Sequence, residues 1–336
     1  MKILIINITI LWVYRLYEEY ILSIKDFIIN NYNNIEVNIL TYDEKIFNED
    51  KNIKKKLINN IFFNNNDKIF YSGNFDIYNF LVLNYFNTNT NTNSNANTDT
   101  AIIQNNKFFY INIEQMSKSS YYILLLKNLN LNSSINHNII DYSEENIPFL
   151  NKNYNTFMFP PFFRFKAIKI EDKNIELLSI SNNEYRETIL SSINRELNKT
   201  KNKESKNNDE NNEIQEKEKN ILFIKDVFGK KRDDYFYKTK IYINIHCSEE
   251  HNTMELIRIL NLISNKVIVI TQKSIYTDLL FIKDKIIICN DVANFSEYIY
   301  EILNNYEYYF NKFFNDIDED YYKEYIKSNL DKIINY

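Results

Sequence analysis

The chain has 336 residues, 44% of them hydrophobic, and a formal net charge of −5 from 40 Lys and Arg against 45 Asp and Glu. That length and apolar content suffice for two domains, each with its own core, and the missing basic excess argues against nucleic acid as a partner. Two cysteines, Cys247 and Cys289, make no disulfide framework and point to a reducing compartment.

With 2 glycines and 3 prolines, the chain leaves its turn positions to asparagine, which tolerates the left-handed region better than most residues. Ile, Asn, Lys, Tyr and Phe dominate, as an AT-biased genome would give, so the 27 Tyr and 24 Phe carry little functional information.

The N-terminal apolar run Ile3–Val13, interrupted by Asn7 and Thr9, is short of the roughly 20 residues a bilayer span needs. No small-residue cleavage site follows it, so Lys2–Ile8 reads as a first buried strand of a soluble protein without a membrane span. A helix over Tyr14–Asn30 and strands at Glu36–Leu40 and Lys68–Ser72 follow, with a possible helix at Asn79–Phe86. Asn87–Thr100 is low-complexity and reads as a disordered loop. Lys107–Ile113 is a strand ending in Glu114-Gln115, followed by a helix over Ser119–Leu129 and a strand at Asn138–Tyr142. Thr156–Phe163 crosses to the second half, with Pro160-Pro161 fixing an extended turn.

In the second half Ile175–Ile180 is a strand and Glu184–Leu197 a helix. Asn198–Asn220, dense in Lys, Glu and Asn, reads as a solvated insertion. Ile221–Ile224 is a strand, and Lys230–Lys240 a helix and loop. Ile241–Ile245 is an apolar run ending at His246. It leads through Cys247–Asn252 into a helix with Thr253 at its start and Glu255 in its first turn, then into a strand at Lys266–Ile270. A strand at Lys285–Cys289, a helix over Val292–Phe310 and an amphipathic helix from Asp320 to Asn335 close the chain. Short apolar runs alternating with longer periodic ones predict α/β architecture with mostly parallel strands. Ligands of such sheets bind at the carboxyl ends of the strands, and free N–H groups of a first helical turn suit a phosphate.

Several segments in order resemble a group of GT-B glycosyltransferases of bacteria and giant DNA viruses. Tyr110–Ser117 (YINIEQMS) is similar to that group's strand ending in an Asn-x-Glu-Gln box, and Ile139–Leu150 (IIDYSEENIPFL) to its Asp-Tyr-Ser-x-x-Asn segment. Phe157–Phe163 sits where the group has a Pro-containing interdomain strand. Ser179–Leu190 resembles a strand–loop–helix that usually reads Gly-x-x-Asn-x-x-Arg, and Ile224–His246 with the Glu255/Arg258 helix completes the set. Three departures stand out. Ser179 and Ser181 occupy a loop where glycine is usual, Gln272 stands where glutamate is frequent, and the loop after the first strand has no glycine.

The resemblance implies a GT-B fold of two tandem doubly wound, Rossmann-like domains facing each other across a cleft. An acceptor-binding domain would span 1–165, a nucleotide-sugar-binding domain 166–311, and a C-terminal helix 312–336. It implies a glycosyltransferase that moves a sugar from a nucleotide-activated donor to a hydroxyl of a glycan, protein or small molecule, in the cytoplasm or, for a virus, the host cytoplasm. No metal is expected, because there is no Asp-x-Asp run of the GT-A kind and no Cys/His cluster with zinc spacing, and no cofactor is expected, the nucleotide sugar being a substrate.

Glu114 is the candidate catalytic base, taking the acceptor hydroxyl's proton; the alternative is that Glu114 and Gln115 only hold the interdomain loop. Asp141 is similarly placed but reads as a cap of the next element. Donor binding falls to Arg186, Lys225, His246, Thr253, Met254, Glu255 and Arg258. Arg186 and Lys225 either neutralise the diphosphate, where Arg offers a bidentate fork, or are surface cations. His246 either donates to phosphate or ribose or is a satisfied, partly buried histidine. Glu255 either binds ribose hydroxyls or only stabilises its helix start. Arg258, at i+3, either orients Glu255 or reaches the diphosphate. The rival reading is a catalytically decayed GT-B-like binding or scaffold protein.

Overall fold

The computed structural model describes residues 1–9, 11–63, 67–73, 78, 81–82, 103–112, 135–150, 154–181, 183–204, 220–249 and 253–336, without the side chains of 9–17, 58–63, 103–106, 135–136 and 200–204. The chain divides into two compact units, Met1–Phe162 with Asp320–Tyr336, and Phe163–Glu319.

The first unit is built on β1 (Lys2–Thr9), β2 (Glu36–Asp43), β3 (Lys68–Gly73), β4 (Ile103–Asn112), β5 (Ile135–Asp141) and β6 (Asn155–Met158). They form one sheet in the order β2-β1-β3-β4-β5-β6, and every pair is parallel. Parallel strands covered on both faces read as continuous apolar runs. This is why Ile3, Leu4, Ile5, Ile6 and Ile8 of β1 are all buried. One face packs Leu4, Ile6, Ile8, Ile69, Tyr71, Phe108, Tyr110 and Ile139 into a single cluster with Phe47 and Leu57. Helix α1 (Leu11–Asn31) connects β1 to β2, and its Tyr20 hydroxyl donates to the Phe159 carbonyl at 2.5 Å.

Two short helices absent from the sequence reading, α2 (Glu44–Glu49) and α3 (Lys51–Phe63), follow β2. The signal for the first is Asp43, whose carboxylate accepts from the Lys45 and Ile46 N–H groups as an N-cap. At the other end of the chain, helix α9 (Glu319–Asn335) belongs from Asp320 onward to this unit. Tyr32 donates to Asp331 at 2.7 Å, the Asn155 amide donates to the Tyr336 hydroxyl at 2.7 Å, and Tyr325 donates to Glu144.

The second unit holds β7 (Ile175–Ile180), β8 (Leu222–Ile224), β9 (Thr239–Asn244), β10 (Ile268–Gln272) and β11 (Ile287–Cys289) in the order β11-β10-β9-β7-β8, again all parallel. Counted within the unit, that is the doubly wound order 2-1-3-4-5. The winding reverses between its first and third strands, β7 and β9. The described chain is thus α/β with two Rossmann-like parallel sheets. Among the described residues no helix is long and apolar enough to cross a membrane.

Several boundaries move. The helix after β7, α4, runs over Glu184–Glu204, so the first seven residues of the expected insertion 198–220 are helical and 205–219 lie outside the described residues. Its polar sequence suits a solvated helix as well as a loop, and composition alone cannot separate the two. Helix α5 (Gly229–Lys238) precedes β9. Helix α6 begins at Leu256 and ends at Ser264, not at Thr253, with Glu255 as the residue just before it.

The run predicted as one helix over Val292–Phe310 is two, α7 (Ala293–Asn304) and α8 (Tyr306–Phe314). Asn305 (φ −127°, ψ 37°) lies between them. The left-handed backbone among described non-glycine residues falls to Asp226 (φ 54°) and Lys266 (φ 50°), not to asparagine. Lys266 closes α6 where glycine is usual, its N–H donating to the Ile263 carbonyl at 2.8 Å. The expected loop 87–100, the expected helix 119–129 and most of 79–86 lie outside the described residues.

Candidate functional site

All features of the candidate site lie in the second unit, at the carboxyl edge of its sheet. Helix α4 starts beside Asn183, whose carboxamide accepts from the Arg186 N–H at 3.1 Å. This cap fixes Arg186 on the first turn, one loop away from the end of β7. The Arg186 side chain is only 7% exposed, and its Nη2 pairs with Glu255 Oε1 at 2.5 Å. Its Nη1 lies 3.4 Å from the Ser181 hydroxyl. The other Glu255 oxygen, Oε2, is paired with Arg258 Nη1 one turn into α6. The Tyr242 hydroxyl of β9 accepts from the Ile180 N–H at 3.1 Å and donates to the Ile180 carbonyl at 3.2 Å. Burial pushes Glu255 up, but Arg258 and then Arg186 outweigh it and hold the carboxylate below its ordinary range.

The cluster therefore carries two guanidinium charges on one carboxylate, a net of about +1, at the point where the strand order reverses. The Arg186 Nε–H is buried without a partner. A buried donor left unpaired costs about 1–3 kcal/mol.

His246 follows β9 and is 6% exposed. Its backbone N–H donates to Gln272 Oε1 at 2.9 Å, and its Nε2 lies 3.2 Å from the Lys273 carbonyl. The Lys273 N–H in turn donates to the Cys289 carbonyl at 2.9 Å, tying the ends of β10 and β11 together. Burial pushes the imidazole below its ordinary pKa, against the opposing pull of the Lys273 carbonyl and Glu255, so it is neutral at pH 7. Next to it opens a cavity of about 250 Å³, lined by Tyr185, His246, Glu249, Gln272, Asn290 and Asp291 among others. Drug-sized ligands fill roughly 300–1,000 Å³; this space suits a nucleoside-sized fragment.

The predicted residues separate into groups. Arg186, Glu255 and Arg258 come together as one cluster, with His246 close enough to feel the charges of Glu255 and Arg186. Glu255 is the residue at the N-cap of α6, but its side chain makes no cap hydrogen bond; its carboxylate pairs with the two arginines instead. Thr253 and Met254 are fully buried, and of the predicted donor-binding residues His246 alone lines the cavity; Arg186, Lys225, Glu255 and Arg258 do not. Lys225 pairs with Glu187 on α4 with half of its side chain exposed, so it is a surface cation in this structure. Glu114 lies outside the described residues.

Asp141, in the first unit, is not the cap expected of it, since Ser143 precedes the next turn of helix, Glu144–Phe149; it accepts from the Ser143 N–H at 2.9 Å and from the amides of Asn146 at 3.0 Å and Asn112 at 2.7 Å. Among the described residues no three His, Cys, Asp or Glu side chains converge as a metal site.

The site also uses residues that the sequence reading set aside. Ser181, noted only as a missing glycine, reaches Arg186, and Ser179 donates to the Ile243 carbonyl at 2.9 Å. Gln272, noted as a lost charge, positions the His246 backbone. Tyr242, one of many tyrosines, is buried and ties β9 to the end of β7 through the Ile180 main chain; its position in the apolar run before His246 was the available signal.

No family model matches the chain. Over 248 residues it is 28% identical to an uncharacterized protein of Acanthamoeba polyphaga mimivirus, covering 69% of this chain and 75% of that protein. A viral relative fits the viral type expected from the sequence.

Proposed function

We propose that the chain is a GT-B glycosyltransferase. It takes a nucleotide-activated sugar as donor and transfers the sugar to a hydroxyl of a glycan, protein or small molecule, without a metal. The observation that carries this reading is the largely buried Arg186–Glu255–Arg258 cluster at the strand-order reversal, with Tyr185, the chain neighbour of Arg186, in the wall of a cavity of about 250 Å³. The acceptor oxygen bonds to the anomeric carbon as the bond to the diphosphate oxygen breaks, and that electron pair leaves on the diphosphate. On this reading the arginines hold the developing charge, where a preorganised cation in a site shielded from water is worth most. The N-terminus of α4 adds a partial positive charge on the same side. Glu255 positions the two arginines. Glu114 is the proposed base for the acceptor proton, and the two reduced thiols suit a cytoplasmic enzyme.

A second reading, a binding or scaffold protein that has lost transfer, is favoured by one observation. Glu255, the expected ribose ligand, pairs its carboxylate with Arg186 and Arg258 and is not among the residues lining the cavity. Thermal unfolding against UDP, GDP, ADP and CMP in EDTA separates ligand binders from non-binders. A ligand at 100 times its Kd stabilises by about 2.7 kcal/mol. The proposal expects a shift with one nucleotide that is lost in Arg186→Met. No shift with any nucleotide refutes it.

A further inference from the structure

We propose that the cavity of the second unit takes a guanine base through Glu249 and Lys273, so that the donor is a guanosine diphosphate sugar. The assignment rests on the nucleotide-sugar reading above and adds to it the identity of the base.

The cavity wall is built from the ends of three neighbouring strands and the start of one helix. Glu249 follows β9, Lys273 follows β10, Asp291 lies between β11 and α7, and Tyr185 is on the first turn of α4. All stand at the carboxyl edge of the sheet, where such sheets take ligands. The Lys273 main chain is held on both sides: its N–H donates to the Cys289 carbonyl at 2.9 Å, and its carbonyl lies 3.2 Å from His246 Nε2. Asp291 Oδ1 accepts from the Ala293 N–H at 3.1 Å and is committed to the start of α7. Glu249 and Lys273 are exposed and Tyr185 is half-buried, so a ligand in the cavity can reach each of them. Among the described residues neither the Glu249 carboxylate nor the Lys273 ammonium has a hydrogen-bond or ion-pair partner. One uncommitted carboxylate and one uncommitted ammonium thus share the wall of a space of about 250 Å³.

A carboxylate only accepts, and its two oxygens accept side by side. Of the common bases guanine alone presents two adjacent N–H groups on its pairing edge, at N1 and N2. Uracil offers one N–H between two carbonyls, and adenine and cytosine an amino group next to a ring lone pair. Each of these turns a lone pair toward the second carboxylate oxygen. On its neighbouring edge guanine carries O6 and N7, the acceptor pair to which a lysine donates. The free carboxylate and the free ammonium match that division of donors and acceptors. The Tyr185 ring adds an aromatic surface of the kind on which bases stack. Two carboxylates, Glu249 and Asp291, against the one ammonium of Lys273 give the wall a net charge of −1, which favours the uncharged base over the diphosphate as occupant.

The test is isothermal titration calorimetry of the full-length protein in EDTA with GDP, IDP, UDP, ADP and CDP. IDP differs from GDP only by lacking the N2 amino group. GDP is expected to bind tightest, and IDP about 10-fold more weakly, the loss of one hydrogen bond to a charged group. In Glu249→Ala GDP should fall to the level of IDP, so that the gap closes. Glu249 is exposed and unpaired, so this variant should keep the wild-type unfolding midpoint. Tightest binding of UDP, ADP or CDP overturns the guanine assignment and leaves the nucleotide reading standing. So does a wild type that binds GDP and IDP equally, or a gap that survives in Glu249→Ala. Binding of none of the five overturns the nucleotide reading, and the choice of base with it.

Discussion

Replacing Glu255 by Gln isolates the charge that holds the two arginines together. The carboxylate is 23% exposed, between Arg186 at 7% and Arg258 at 26%. Its loss leaves two guanidinium groups facing each other without their shared counter-ion. Removing one partner of a fully buried pair costs about 3–5 kcal/mol. The partial exposure of two members moves the expectation to the low end, about 3 kcal/mol. For a unit of this size each kcal/mol shifts the midpoint by about 2–4 °C, so differential scanning calorimetry should show the transition of the Phe163–Glu319 unit lowered by about 6–12 °C.

Arg186→Met added to Glu255→Gln should cost clearly less than the sum of the single changes, because the repulsion is then already relieved. The effect also has a pH signature. Glu255 is held below its ordinary range in the folded state, so its stabilisation is complete above an unfolded value of about 4.3 and disappears as the pH falls through the lower folded value. The difference between wild type and Glu255→Gln should therefore shrink below about pH 4. A Glu255→Gln variant within about 0.5 kcal/mol of wild type at pH 7 refutes the shared-counter-ion account.

Three further outcomes follow from other parts of the fold. Asp141 is pushed up by burial to about 7, against its three hydrogen bonds, from about 3.9 unfolded. The folded state thus binds the extra proton, and this group's contribution weakens as pH rises from about 4 to about 7. Urea unfolding at pH 5 and pH 8 should show that slope in wild type and lose it in Asp141→Asn. Gly73→Ala should destabilise the first unit by at least about 1–2 kcal/mol in the same assay, because φ is +129° and an added Cβ would stand 1.7 Å from the Ile8 carbonyl oxygen. Lys173 is buried and donates to the carbonyls of Asn265 at 2.7 Å and Phe236 at 3.2 Å; Lys173→Ala, leaving two acceptors unpaired, should cost about 2–4 kcal/mol by calorimetry.

The parallel strands were readable because burial on both faces writes them as apolar runs. Ile3–Ile8, Ile69–Tyr71 and Ile241–Ile243 leave little other interpretation. Ends were harder. Glu255 looked like a first-turn carboxylate, yet tertiary pairing with Arg186, 69 residues away, took the side chain out of its capping role. Asn305 breaks an otherwise continuous periodic run by backbone geometry that its neighbours do not announce.

Of the candidate site, the residue types at the carboxyl edge were visible from sequence, and their mutual engagement was not. Ser181 and Gln272 looked like losses relative to a resembling family and prove to be structural partners of Arg186 and His246. Lys225 looked equivalent to Arg186, but the edge position of β8 leaves it near Glu187 at the surface.

The most direct test of the central claim is ³¹P NMR of a panel of nucleotide sugars incubated with the full-length protein in EDTA, with and without hydroxyl acceptors. The account predicts conversion of one donor to its free nucleoside diphosphate, slowed strongly by Arg186→Met. A panel left intact, with no nucleotide resonance broadened or shifted by the protein, contradicts it.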